Sequence, residues 1–286
     1  HLNSSHRFNV AYFDDKCHKI FVGMAKANGQ NIQTAIKKIN SLRRGGLNGG
    51  RSVISSGMTD VFGGIAPFMK GNSDEKGFEH RPYNIFLMTD GKSTVNVLKS
   101  SDFLRKIGAL NQGHVSIFPF SAGHDANRML LDYLGYLNRG GQHHVDEVGK
   151  VRSELTSFII DHSSMLISDF KFTTNASFHQ EIYPKALPHL YRNEILKLYG
   201  RYEKAEDELV LSLTGRDASG KERDFVLRCK PIDCQRGDDK IRLEWAAQKI
   251  LWLTARKHCS DDEKEISEID SVINAMRKEF RVYVPE

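Results

Sequence analysis

One stretch constrains the fold more than any other. Tyr83-Asn84-Ile85-Phe86-Leu87-Met88 is a near-continuous apolar run that empties into Thr89-Asp90-Gly91. A strand that is apolar on both faces has to be covered on both, which is the position of a strand inside a parallel sheet flanked by helices. A second run of this kind stands at 114–120 (His-Val-Ser-Ile-Phe-Pro-Phe), and a short strand is expected at 141–145. Helical spacing fills the intervals, at about 96–110, Ala126–Leu137 and Glu147–Ser163. This alternation predicts an α/β fold, an open, doubly wound, mostly parallel sheet with helices on both faces.

Upstream, 7–13 and 17–22 read as strands joined by the polar turn Asp14-Asp15. A helix is expected from Asn31 to Leu42, with Ile32, Ala35, Ile36 and Ile39 on one face. A Gly/Ser-rich loop spans 45–58, and a short helix follows over Asp60–Met69. After residue 165 the pattern changes. Leu166–Thr174, Ile195–Tyr202, Glu208–Thr214 and Asp224–Arg228 read as antiparallel strands, with hairpin composition at Asp217-Ala218-Ser219-Gly220. From Ile241 the periodicity of Leu243, Ala246, Ala247, Ile250, Leu251 and Leu253 predicts a helix, and a second runs over Asp262–Phe280. Trp245 and Trp252, at heptad spacing, suit an internal packing face. The chain therefore divides into an α/β part (1–164), a β-rich extension (165–240) and a helical segment (241–286) closing in a short strand at Val282-Tyr283-Val284-Pro285.

Charge excludes some functions. The net charge is +5 and the pI near 8.9, but the basic residues are scattered among acidic ones. No stripe of Lys and Arg with interleaved aromatics marks a nucleic-acid groove. No apolar run approaches the roughly 20 residues of a membrane span. Four cysteines, Cys17, Cys229, Cys234 and Cys259, fit no zinc spacing. Buried thiols are the simplest reading of all four, with a Cys229–Cys234 bridge across a hairpin as the alternative.

In open α/β sheets ligands bind beyond the carboxyl ends of the strands. Asp90, released there by a glycine turn, is placed to meet a cation or a ligand. Gly57-Met58-Thr59 opens the short helix, where the Thr59 hydroxyl can cap the helix or offer oxygen to a hard cation. Spacing alone leaves open that Thr59 only caps and Asp90 only shapes a turn.

Other motifs fail on chemistry. Gly91-Lys92-Ser93-Thr94 resembles the end of a phosphate loop, but Phe86 stands where that loop needs glycine. No Gly-x-Ser-x-Gly elbow supplies a hydrolase nucleophile. His143 and His144 adjoin on a strand and point to opposite faces, while His114, His124 and Asp125 lack a nucleophile partner. Arg236-Gly237-Asp238 is a tripeptide common by chance. Asn3-Ser4-Ser5 and Asn175-Ala176-Ser177 are glycosylation sequons.

Several stretches together resemble a known family. Phe8-Asn9-Val10-Ala11-Tyr12-Phe13, Gly57-Met58-Thr59 with Gly63-Gly64-Ile65, and Ile85-Phe86-Leu87-Met88-Thr89-Asp90-Gly91 follow the order of the second strand, metal-site threonine and fourth strand of von Willebrand factor A (VWA) domains. Tyr133 to Gly141, Tyr183 to Tyr191 leading to Leu198-Tyr199-Gly200-Arg201-Tyr202, and Trp245 to Ile250 extend the similarity over nearly the whole chain. The subtype it resembles pairs that domain with a VIT domain, as in inter-alpha-trypsin inhibitor heavy chains. The resemblance implies a non-enzymatic adhesion module, extracytoplasmic or secreted, that holds Mg²⁺ or Mn²⁺ and binds a protein partner through its carboxylate. It implies Thr59 and Asp90 as metal ligands. The family's Asp-x-Ser-x-Ser loop and central first strand are not matched in this chain, so an N-terminally truncated domain with weak metal affinity is expected. A structural scaffold with a degenerate site is the alternative, and a doubly wound hydrolase using His114 or His124 a more distant one.

Overall fold

The protein is described by a computed structural model over residues 6–44, 60–69, 82–111, 115–175, 179–192, 194–204, 207–217 and 219–282. The expected strand over 7–13 divides at Asn9 into β1 (Arg7–Phe8) and β2 (Ala11–Phe13). Asn9 Nδ2 donates to the carbonyls of Phe21 (2.9 Å) and Gly23 (3.0 Å), and its Oδ1 accepts from the amides of Val10 (2.8 Å) and Phe21 (3.2 Å). A side chain that satisfies main-chain groups in this way competes with a strand ladder. The strand expected over 17–22 likewise shortens to β3 (Cys17–Lys19), which pairs with β2, while β1 pairs with β4 (Ala25–Lys26).

Helix α1 (Gly29–Arg44) buries Ala35, but Ile36 and Ile39, expected on the same covered face, are 43% and 40% exposed. None of the hydrophobic clusters among the described residues includes a residue of α1. Its apolar face is only partly covered. The glycine-rich loop and Thr59 lie outside the described residues. The next helix, α2 (Val61–Met69), is capped by Asp60, whose Oδ1 accepts from the Gly63 amide at 2.8 Å.

The two apolar runs form β5 (Tyr83–Met88) and β6 (Val115–Ala122), separated by α3 (Ser100–Asn111). Helix α4 (Arg128–Leu137), β7 (His143–Val145) and α5 (Val151–Asp161) complete this part. The strands lie parallel in the order β5-β6-β7, with Tyr83 opposite Val115 and Phe120 opposite His143. Alternation then sorts the side chains. Val115 and Ile117 join Leu87 and residues of α2, α3 and α4 in one core, whereas Phe118 and Phe120 meet Phe86, Val145 and Phe158 of α5 in another. Helices on both faces explain why β6 is buried over seven consecutive residues. Helix α3 starts four residues later than its periodicity suggests, because Asn96 takes a left-handed conformation (φ 51°) and its amide is drawn to Asp60.

A buried pair of asparagines ties α3 and α4 to the start of β6. Asn111 Nδ2 donates to Val115 O (2.8 Å) and Asn138 Oδ1 (2.6 Å), and Asn111 Oδ1 accepts from Val115 N (2.9 Å). Just beyond, Gly140 lies so close to β6 that a β-carbon there would stand 1.9 Å from Ile117 O.

The β-rich part is a four-stranded antiparallel sheet in the order β11-β10-β8-β9, built from β8 (Met165–Thr174), β9 (Leu190–Tyr191), β10 (Leu209–Asp217) and β11 (Glu222–Cys229). Its apolar face packs Phe170 and Leu213 against Leu187 and the half-buried Leu196 and Leu198. Ile195–Tyr202 is not the strand its composition suggests. Its leucines cover the sheet rather than extend it, and Tyr199 alone makes a bridge, to Tyr183. Helices α6 (Asp239–Cys259) and α7 (Glu263–Phe280) pack Trp245, Ile250 and Leu253 against Ile269, Ile273 and Met276. Trp245 is an internal packing residue, and Trp252 is half-buried beside the same cluster. The far end of α6 returns to the α/β core, where Ala255 is buried in the cluster of α3 and α4. The closing strand expected at 282–285 falls largely outside the described residues; Val282 itself is not in a strand. No helix among the described residues is long and apolar enough to cross a membrane.

Candidate functional site

The carboxyl end of β5 opens into a loop in which every turn has a local cause. Thr89 Oγ1 accepts from the Gly91 amide at 3.1 Å, and Gly91 takes φ +75°, a conformation side chains disfavour. Asp90 Oδ1 accepts from the Lys92 amide at 3.0 Å, so the carboxylate does shape the turn. It is also exposed on the rim. The rim is held from the next strand and helix, because Thr89 N donates to Phe120 O (3.2 Å) and Asn127 N donates to Asp90 O (2.7 Å). Asn127 in turn caps α4, accepting from Leu130 N at 3.2 Å.

Thr59 lies outside the described residues. Its neighbour Asp60 does not. Asp60 is buried, its Oδ2 accepts from Asn96 Nδ2 at 2.8 Å, and the Val61 amide donates to Ser93 Oγ at 3.1 Å. The start of α2 is thereby fastened to the loop that follows Asp90. Asp14, at the end of β2, joins the same corner by accepting from the Asp60 amide at 2.8 Å. Its own carboxylate is occupied by Lys16 N (3.0 Å) and His18 Nε2 (3.3 Å). Asp60, Ser93 and Asn96 were not singled out from the sequence. An Asp directly before a helical run is an N-cap signal, so the capping role foreseen for Thr59 belongs to Asp60. Among the described residues no group of three or more His, Cys, Asp or Glu side chains is gathered to hold a metal ion.

The remaining motifs have structural partners. His143 Nε2 faces Glu154 at 3.1 Å and its ring stacks with Phe158, while His144 turns to the opposite face. His144 Nδ1 lies 2.8 Å from Ser121 Oγ, and its Nε2 is 3.3 Å from Asp146 Oδ1, out of line for a hydrogen bond. This Ser-His-Asp set is not open to a substrate, because Ser121 is 2% exposed and Gln142 Nε2 donates to its oxygen at 3.0 Å. It ties β6 to β7. His124 is exposed in the turn after β6, and His114 lies outside the described residues. Asp238 of the Arg-Gly-Asp tripeptide caps α6, accepting from Lys240 N at 2.9 Å. The amide of Asn175 is engaged at both ends, donating to Glu208 O and accepting from Val210 N, each at 2.8 Å.

No family model matches the chain. Among solved structures, it is similar to a von Willebrand factor type A protein from Catenulispora acidiphila, with a TM-score of 0.56 and 11% identity over 97% of this chain and 74% of the other. The fold is that of a von Willebrand factor A domain protein. A second structure, the ArnB paralog VWA2 from Sulfolobus acidocaldarius, is similar over 96% of this chain and 71% of its own, with a TM-score of 0.50 and 15% identity. In a VWA fold the rim around Asp90 is the end of the parallel sheet at which open α/β folds receive ligands.

Proposed function

We propose that this chain is a protein-binding adhesion module of the VIT-associated, inter-alpha-trypsin inhibitor heavy chain-like type, acting outside the cytoplasm without catalysis. The rim at Asp90 and Thr59 takes part in holding Mg²⁺ or Mn²⁺, and a carboxylate of the protein partner completes the metal's shell. The observation that carries this reading is the fastening of α2 to the β5 loop through Asp60–Asn96 and Val61–Ser93. It supports a shared site for the residue preceding Asp60 and the carboxylate of Asp90. Mg²⁺ takes six oxygens near 2.1 Å and keeps positions open for water or an acid. Two side-chain oxygens alone bind it weakly, so tight binding requires further oxygen ligands. Among the described residues β5 stands at the edge of its sheet, which suits a further strand beside it.

The test is a calorimetric titration of the natural full-length protein with Mg²⁺ and Mn²⁺, beside its Asp90→Ala and Thr59→Ala variants. Affinity should fall at least tenfold in each variant. Equal affinity in wild type and Asp90→Ala would remove Asp90 from the site. The competing reading is a scaffold with a degenerate site. It predicts a melting temperature indifferent to millimolar Mg²⁺, since a ligand that binds only the native state raises stability.

A further inference from the structure

Two of the four cysteines contradict the expectation of buried thiols. Cys229 and Cys234 are exposed, whereas Cys17 and Cys259 are half-buried. They do not face each other across a hairpin either. Strand β11 ends at Cys229, and a single 3-10 turn, Pro231–Asp233, separates it from Cys234 and the segment leading to α6. The turn is closed by Cys234 N donating to Pro231 O at 3.2 Å, and Cys234 Sγ reaches back to Lys230 O at 3.3 Å. The Cys234 sulfur is thereby turned back to the residue that follows Cys229, and the two thiols lie near enough to influence each other electrostatically. The anchors on either side are independent of the pair. Cys229 is held in register opposite Leu209 of β10, and Asp238 caps α6.

We propose that Cys229 and Cys234 form a reversible intrachain disulfide by exchange with small-molecule disulfides of the glutathione class, clasping the end of edge strand β11 to the turn that leads into α6. A disulfide requires sulfur atoms that can meet without backbone movement, and access for the exchanging partner. Here one turn provides the first and exposure the second. Desolvation, with Cys234 beside it, pushes the Cys229 thiol up, which slows attack by Cys229. The Cys234 thiolate displaces one glutathione thiolate from the disulfide, leaving Cys234 joined to the other glutathione. Cys229 then loses its proton and attacks the Cys234 sulfur, releasing the second glutathione. The two protein thiols are oxidised, one small disulfide is reduced to two thiols, and the two cysteine protons pass to the leaving thiolates.

The experiment incubates the purified full chain in glutathione buffers of graded redox poise, quenches with acid, alkylates in denaturant and maps peptides by mass spectrometry. The expected result is a Cys229–Cys234 link that has lost two hydrogen masses, with Cys17 and Cys259 alkylated. In Cys229→Ser, Cys234 should accumulate as a mixed disulfide with glutathione, because the resolving thiol is gone. Cys234→Ser should react far more slowly at Cys229. Circular dichroism of both variants checks that the fold is kept, and Cys17→Ser with Cys259→Ser leaves the link intact. Free alkylation of both residues in fully oxidised buffer would overturn the proposal. So would a link joining Cys229 or Cys234 to another cysteine or to a second chain.

Discussion

Asp60 and Asn96 stand 36 positions apart, yet the buried Asp60 accepts through Oδ2 from Nδ2 of the exposed Asn96 at 2.8 Å. One carboxylate thus caps α2 through its first oxygen and anchors the loop after β5 through its second. The start of α2 and the loop that bears Asp90 cannot separate without breaking it. Asp60→Ala should lower stability by about 1 to 2 kcal/mol, the loss of a cap together with one part-buried hydrogen bond. Asn96→Ala should cost about 1 kcal/mol, and the double variant less than the sum. Urea unfolding of all four proteins checks the cycle. Simple additivity would mean that the pair is not coupled.

The second prediction concerns pH. His162 is enclosed by Phe118, Phe158 and Tyr191, with Nδ1 2.8 Å from Phe158 O and Nε2 3.2 Å from Glu194 Oε1. Two acceptors favour a ring protonated at both nitrogens. Burial opposes the charged ring, but the hydrogen bonds to Glu194 and Phe158 and the charges of Glu194 and Asp161 outweigh it and raise the pKa above 6.5. A raised folded-state pKa gives stability that is fully present below the unfolded value and disappears as pH rises through the folded one. Wild type should therefore lead His162→Gln most at pH 5.5 to 6, within about half a pH unit, and the lead should shrink above neutrality. A difference independent of pH, in thermal melts across this range, would show that the ring acts by packing alone.

Asn111 offers a stability test inside the core. Replacing it with leucine strips partners from Val115 N, Val115 O and Asn138 Oδ1, all in buried surroundings. The cost should be about 3 kcal/mol, since an orphaned buried polar group loses more than its hydrogen bond was worth. Chemical denaturation measures it. A loss below about 1 kcal/mol would show that water replaces the amide.

Adjacent glycines supply the fourth test and its control. A β-carbon at Gly140 would collide with the Ile117 carbonyl, a backbone atom that cannot rotate away, whereas one at Gly141 meets nothing within 4 Å. Gly140→Ala should cost about 4 kcal/mol or prevent folding, and Gly141→Ala should change stability by less than about 1 kcal/mol. Comparable melting temperatures for the two variants would refute the close approach of α4's end to β6.

The buried runs at β5 and β6 were legible because burial on two faces demands apolar residues at consecutive positions, a signal carried within six to eight residues. Asp90 was legible for the same reason, since the run ends where it begins. The break at Asn9 was not. A chain reading Phe-Asn-Val-Ala-Tyr-Phe has strand composition, and only the carbonyls of Phe21 and Gly23, brought alongside in space, turn Asn9 into a substitute for the ladder. Ile195–Tyr202 misled in a related way, because apolar alternation does not distinguish a strand that joins a sheet from a segment that lies over it.

What the amino-acid order determined alone is the succession of elements from β5 to α5 and the residue poised at the carboxyl end of β5, since hydrophobic period and glycine placement act over a few neighbouring residues. Tertiary packing decided which distant groups meet: Asp60 with Asn96, and Asn111 with Asn138. Hydrogen bonds are short-ranged and directional, so their partners are chosen only after helices and strands have been brought together by the burial of their apolar faces.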